Sequence, residues 1–174
     1  MLLDPDLASI FIRAYAGLMA EIYGSDPAHQ KRATVTEVVA AGRARYAADP
    51  KRLDAAVAAA AARGKPLEFE VIEAVRKMQL KKWIFLRDTK RHSLFLDPEG
   101  DAGYGVLGLT QRIRDIVGGS GAVLETALVP YRGRFVCDGV ISEVLWLGPN
   151  YRKDFAALFS RLKKNGAFHV AYEP

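Results

Sequence analysis

Residues Val123 to Leu147 read VLETALVPYRGRFVCDGVISEVLWL, two arms rich in β-branched and aromatic residues on either side of Pro130-Tyr131-Arg132-Gly133-Arg134. The arms predict strands and the centre predicts the turn of a hairpin. A type I turn centred on Tyr131 and Arg132 fits, with Gly133 as the left-handed residue of a G1 bulge, a conformation that penalises any Cβ. The densest chemistry of the chain gathers at this end: Arg132 and Arg134 flank the glycine, Tyr131 precedes them, and Asp138 lies four residues beyond Arg134.

Upstream of the hairpin, Thr110 is placed to cap a short helix, Gln111 to Val117, with Ile113, Ile116 and Val117 inward and Arg112 and Arg114 outward. Gly118-Gly119-Ser120-Gly121 ends it; the loop lacks the Gly-Lys-Ser/Thr of a P-loop and reads as a flexible connection. Before that, Gly103, Gly105 and Gly108 spell GxGxxG. A dinucleotide site needs this pattern between a strand and a helix, with an acid about twenty residues on. Here Tyr104, Val106, Leu107 and Leu109 make the stretch itself a strand, and the glycines suit a bend or a close approach. Trp83 to Arg87 and Ser93 to Leu96 alternate around Asp88-Thr89-Lys90-Arg91 as an earlier hairpin. Asp97-Pro98-Glu99-Gly100-Asp101 reads as a loop, since it lacks the glycine and bidentate glutamate positions of an EF-hand.

Downstream, Gly148-Pro149-Asn150 breaks the strand and opens a helix, Tyr151 to Lys164. Its stripe is Phe155, Leu158, Phe159 and Leu162, and its outer face is basic. Asn165-Gly166 caps it, and Phe168 to Tyr172 predicts an edge strand.

Residues 1 to 80 carry helical spacing instead. Leu7, Ile10, Phe11, Ala14, Leu18, Met19 and Ile22 make one stripe over residues 5 to 23, ended by Gly24-Ser25-Asp26-Pro27. Thr34 and Glu37 form a capping box ahead of Val35, Val38, Val39 and Tyr46. A third helix, from Pro50 to about Arg63, carries AAVAAAAA, whose small side chains favour helix and allow close contact. A fourth is expected from Leu67 to about Lys82.

The composition bounds the class. Half of the 174 residues are hydrophobic and 26% charged, ordinary values for a globular chain that buries roughly two-thirds of its unfolded surface. No stretch reaches the ~20 apolar residues of a membrane span, and MLLDPDL carries acids where a signal peptide carries Lys or Arg. The expectation is a cytoplasmic protein with no membrane contact. A single cysteine, Cys137, excludes an intramolecular disulfide and a Cys-based zinc site, and His29, His92 and His169 share no ligand spacing. No metal or other cofactor is expected. The net charge of +5 sits in the second half: residues 1 to 80 hold 11 Lys/Arg against 10 Asp/Glu, and residues 81 to 174 hold 14 against 10.

The candidate ligand-binding set is therefore Arg132, Arg134, Asp138 and Tyr131 at the hairpin, with Arg112 and Arg114 upstream. Guanidinium groups on a rigid turn suit phosphate or carboxylate, because their planar donors hold two oxygens at once. The competing account is structural, with Arg and Asp tying the loop to a neighbouring strand. Cys137 has no base nearby in sequence and reads as a small apolar filler. Among the aromatics interleaved with cations, Trp83, Phe85 and Trp146 read as core, and Tyr104, Tyr131 and Tyr151 as candidates for exposure.

The segments LVPYRGRFVCDGVI and LWLGPNYRKDF together resemble a pattern of uncharacterised prokaryotic, including bacterial, proteins: an LPxRGRxxxDG hairpin followed by a Gly-Pro and a basic helix. The matching positions are Pro130, Arg132, Gly133, Arg134, Asp138, Gly139, Gly148 and Pro149, within residues 83 to 164. Some of those proteins carry a Cys-rich zinc motif that this chain lacks. The resemblance supports the hairpin as a unit and implies no activity.

These readings converge on an α+β fold: a helical section of about four helices over residues 1–80, and over 81–174 an antiparallel sheet or partly open barrel with a terminal helix, the two forming separate or one continuous domain. The expected function is a non-enzymatic binding or regulatory module whose basic hairpin face contacts an acidic partner, nucleic acid or an acidic protein. The alternatives are a homodimer built through the alanine-rich helices, and a binder or enzyme for a small anionic ligand.

Overall fold

A computed structural model describes residues 1–24 and 33–173. It is α+β, with four helices first, then a seven-stranded mixed sheet carrying two further helices. Helix α1 (Pro5–Tyr23) begins where the Asp4 carboxylate accepts the Asp6 and Leu7 N–H groups at 3.0 and 3.3 Å and Pro5 supplies a preset φ. Helix α2 (Val35–Ala48) starts at the expected capping box, where Glu37 N–H donates to the Thr34 hydroxyl and Thr34 N–H to Glu37 Oε2. The expected stop of α1 at residues 25–27, and His29, lie outside the described residues. Helix α3 (Lys51–Ala62) buries Leu53, Ala56 and Ala60. Helix α4 (Phe69–Arg76) is shorter than its apolar spacing predicts. Residues 79 to 82, expected to continue it, are strand, because the chain pairs without interruption from Gln79↔Leu128 to Phe85↔Ala122. Tertiary pairing overrides the local helical period there.

The strands are β1 (Gln79–Asp88), β2 (Ser93–Leu96), β3 (Gly103–Leu107), β4 (Ala122–Tyr131), β5 (Arg134–Cys137), β6 (Ser142–Trp146) and β7 (Phe168–His169). Helix α5 (Ile113–Val117) lies between β3 and β4, and α6 (Pro149–Lys164) between β6 and β7. The strand order β1-β2-β3-β5-β4 returns to β1, so hydrogen bonds close a ring. Most pairs are antiparallel, but β3 runs parallel to β5 and to β7. The expected antiparallel sheet is thus mixed: the chain crosses from β3 through α5 to β4 before β5 returns beside β3. The second arm of the central hairpin is also two strands. It breaks after Cys137, where Gly139 takes φ 80.

Three apolar clusters hold this together. Inside the ring, Trp83, Phe85, Phe95, Val106, Leu124, Leu128, Phe135 and Cys137 pack with Ile113 of α5. On one outer side, α1 to α4 pack Phe11, Tyr15, Met19, Leu53, Val71 and Val75 against Ala127, Val129, Tyr131 and Val136, so helices and sheet share one buried cluster. On the other, α6 covers Ile84 and Leu96 through Leu162, Leu158 and Phe159. Among the described residues no helix is long and apolar enough to cross a membrane.

The contact of α1 with α2 depends on Gly42. A Cβ there would stand 2.3 Å from the Met19 carbonyl oxygen and 2.8 Å from its carbonyl carbon, both backbone atoms that cannot swing aside. Gly42→Ala should therefore cost roughly 1–3 kcal/mol despite its higher helix propensity, seen as a thermal midpoint lowered by several degrees.

Candidate functional site

The predicted hairpin exists, with a different turn. Tyr131 pairs directly with Arg134, and both loop residues have positive φ, 47° at Arg132 and 71° at Gly133. This is a two-residue type I′ turn, whose twist matches the flanking strands, in place of the expected type I turn with a bulge. Arg132 accepts left-handed strain and is tied down, its Nε and Nη2 each 2.8 Å from Glu70 Oε2 of α4. Glu68, Glu70 and Glu73 lie on the same side, so the tip of the turn is not basic overall. Tyr131, expected to be exposed, is buried against Phe11, ring centroids 4.9 Å apart.

Asp138 is the centre of a buried polar cluster. Arg43 Nη1 of α2 lies 2.8 and 3.1 Å from its two carboxylate oxygens and donates to the Val140 carbonyl at 2.6 Å. The Tyr15 hydroxyl of α1 donates to Oδ2 at 3.1 Å, and Val140 N–H to Oδ1 at 3.1 Å. The Thr126 hydroxyl of β4 is 3.1 Å from Oδ1 and 3.0 Å from the Val140 carbonyl, its one hydrogen serving either, with Cys137 Sγ at 3.2 Å. The side chains of Arg43 and Asp138 are 3% and 0% exposed. Burial pushes the Asp138 carboxyl above its usual range, against the pull of Arg43 and the other donors. Burial also holds the Tyr15 hydroxyl well above its ordinary value, with the Asp138 charge adding to it.

Beside this cluster runs a cleft of about 260 Å³ between α1, α2, α5 and the 138–140 loop. Ile12, Val35, Val39, Leu109, Ile113 and Ile116 make its walls apolar. Asp138 and Tyr15 line its floor with their polar atoms already engaged. Cys137 lines it too, and burial pushes its thiol up to about 12. A thiolate, the nucleophilic form, is therefore absent at neutral pH.

The remaining predicted cations lie elsewhere. Arg112 is the N-cap residue of α5, displacing the expected Thr110, and Arg114 is in its first turn. Both line one shallow hollow with Asp88, Thr89 and Lys90 of the β1–β2 turn, where Asp88 accepts the Arg114 N–H at 3.4 Å. Arg134 stands exposed at the start of β5. His92 links the two groups: its basicity is lowered first by burial, then by the amino terminus, Arg134 and Arg91. The structure thus sorts the six predicted residues into different places. Asp138 and Tyr131 are internal, Arg132 is paired at the tip, and Arg112 and Arg114 border the hollow with Lys90 while Arg134 stands exposed beside the hairpin turn.

Sequence reasoning passed over Arg43, Tyr15 and Thr126. Their partner lies 95, 123 and 12 residues away, and no local spacing announces such a meeting. Gly42 inside a helix was the available signal of close packing beside Arg43. Among the described residues no group of three His, Cys, Asp or Glu side chains is arranged to hold a metal ion. Comparison with known proteins adds no assignment, since no protein-family model, no curated protein and no solved structure matches the chain.

Removing one member of the buried pair strands the other. Asp138→Ala or Arg43→Met should cost about 3–5 kcal/mol, read as a fall in the urea midpoint, whereas Arg132→Ala, which loses an exposed pair, should cost about 0–1 kcal/mol. The native chain should leave Cys137 unreactive toward a disulfide-forming thiol reagent at pH 8 and react in full once unfolded.

Proposed function

We propose that this chain is a non-enzymatic binding module that holds an anionic partner, nucleic acid in the first instance, on the basic end of the strand ring. One observation carries the reading. Lys90, Arg91, Arg112, Arg114 and Arg134 are all exposed, and among the described residues none of them makes an ion pair. Unpaired guanidinium groups carried by three separate elements suit a chain of phosphates better than a single one. The basicity of His92, lowered first by burial and then by the amino terminus, Arg134 and Arg91, supports the reading that these charges stand near one another.

The connectivity adds support of a weaker kind. A ring ordered 1-2-3-5-4-1 with a helix between its third and fourth strands is the plan of the five-stranded Greek-key rings that take oligonucleotides between their first and last loops. Likeness of plan alone does not carry function. Here the broad β2–β3 face is covered: α6 packs on Leu96, and a Cβ at Gly105 would stand 3.0 Å from His92 and from Val170 of the segment after β7. The end bearing the β1–β2 turn and α5 is what remains open.

Labelled single- and double-stranded oligomers should bind at about 20 mM salt, with log K falling linearly against log salt by about 0.7–0.9 for each phosphate contact. Arg91→Glu with Arg114→Glu should lower the slope by about two contacts' worth. Arg132→Ala, already satisfied by Glu70, should leave it unchanged. Absence of binding at low salt overturns the reading.

A further inference from the structure

We propose that β6 is the seam between two copies of this chain. Among the described residues β6 pairs with β4 alone, outside the closed ring, and it is exposed on both faces, unlike the strands of the ring. Val144, Leu145 and Trp146 are 40, 67 and 48% exposed, and Tyr151 just beyond is 63% exposed. Three consecutive large apolar residues on an unpaired edge, with no charge or proline among them, are what soluble sheets otherwise avoid. The single guarding feature is the bulge at Glu143, φ 50, and it comes before these three residues.

The backbone shows which groups are free. Leu147 N–H donates to the Gly121 carbonyl, and Leu145 pairs with Val123. Alternation along an antiparallel pair then turns the N–H and C=O groups of Val144 and Trp146 to the open edge. A second β6 laid antiparallel about a two-fold axis at Leu145 satisfies all of them. Val144 of each copy exchanges hydrogen bonds with Trp146 of the other, and the two Leu145 side chains meet. Val144 and Trp146 become cross-strand pairs of the aliphatic–aromatic kind that stabilise sheets.

Charge selects a second copy as the occupant. In this register Glu143 falls opposite the partner's Leu147, beside the first turn of the partner's α6. That turn carries Arg152 and Lys153 and the positive end of a sixteen-residue helix. Glu143 holds Lys82 of its own chain through Oε2, so its other carboxylate oxygen meets the positive helix start of the partner twice across the axis, and no like charges stand opposite each other along the strand. The contact is independent of the alanine-rich α3, and Tyr151 widens it towards the ~1,000 Å² that a specific interface needs.

Sedimentation velocity on the full chain at about 100 μM decides the matter, since mass action favours association there. The unmodified chain should sediment at twice its mass. Leu145→Glu and Leu145→Lys each place like charges together at the axis and should both sediment as monomers, with the far-UV circular dichroism spectrum unchanged because Leu145 is 67% exposed within one copy. Mixed in equal amounts, the two variants should dimerise again. Trp146→Ala should weaken association by about tenfold. A monomeric unmodified chain overturns the proposal. So does a dimer that survives both Leu145 substitutions, which would place the contact on another face, and so does a mixture that fails to pair.

Discussion

The ion pair between Arg43 and Asp138 constrains more of this structure than any other contact. Two charges taken out of water cost several kcal/mol each, and their attraction offsets that only where every remaining donor and acceptor is satisfied. Here Tyr15, Thr126 and the Val140 backbone complete the set. The consequence reaches into topology. Asp138 N–H donates to the Ala127 carbonyl and Gly139 then turns the chain, so the carboxylate sits at the elbow that separates β5 from β6. Arg43 reaches that elbow only because Gly42 lets α2 lie against the backbone of α1. One pair therefore fixes the angle of two helices and the break in a strand.

With α1 to α4 anchored on β4 and β5, and α6 covering β1 and β2, most of the outer surface of the ring is used for packing. Some cations find acids: Arg132 meets Glu70, Arg76 meets Asp54 and Glu73, and Lys82 meets Glu143. Among the described residues the cations of the β1–β2 turn and of α5 make no ion pair, and neither do those on the outer face of α6.

Much of the fold could be read from local pattern, because the signals involved are local. The capping box at Thr34, the stripe of α1, the first hairpin and the stripe of α6 each depend on residues within a few positions of one another. What resisted reading depends on distance in sequence. Gln79 to Lys82 carry no mark that Glu125 to Leu128 will pair with them, so a helix ran on too far. Tyr131 looks amphipathic in sequence, and only the arrival of Phe11 buries it. Asp138 stands out in sequence beside Arg132 and Arg134, but its partner is Arg43, 95 residues away, and no local spacing joins the two. Arg132 and Arg134 look equivalent beside Gly133. An acid on α4 separates them.

The glycine run at 118–121 shows how a local pattern can be right in kind and wrong in meaning. Four residues rich in glycine suggest a flexible connection. Yet a Cβ at Gly119 would stand 2.7 Å from the Trp146 indole, and one at Gly121 would stand 2.8 Å from Arg152 Nε. Arg152 in turn donates to the Leu147 carbonyl at 2.8 Å. These glycines are absences of side chain that let one face of Trp146 and the stem of Arg152 lie on backbone. They fix the end of β6 and the start of α6 to the residues that follow α5, the helix bearing Arg112 and Arg114. Any side chain added at Gly119 would lift Trp146 from its bed, so the exposed edge of β6 and the basic end of the ring are held in place by the same few atoms.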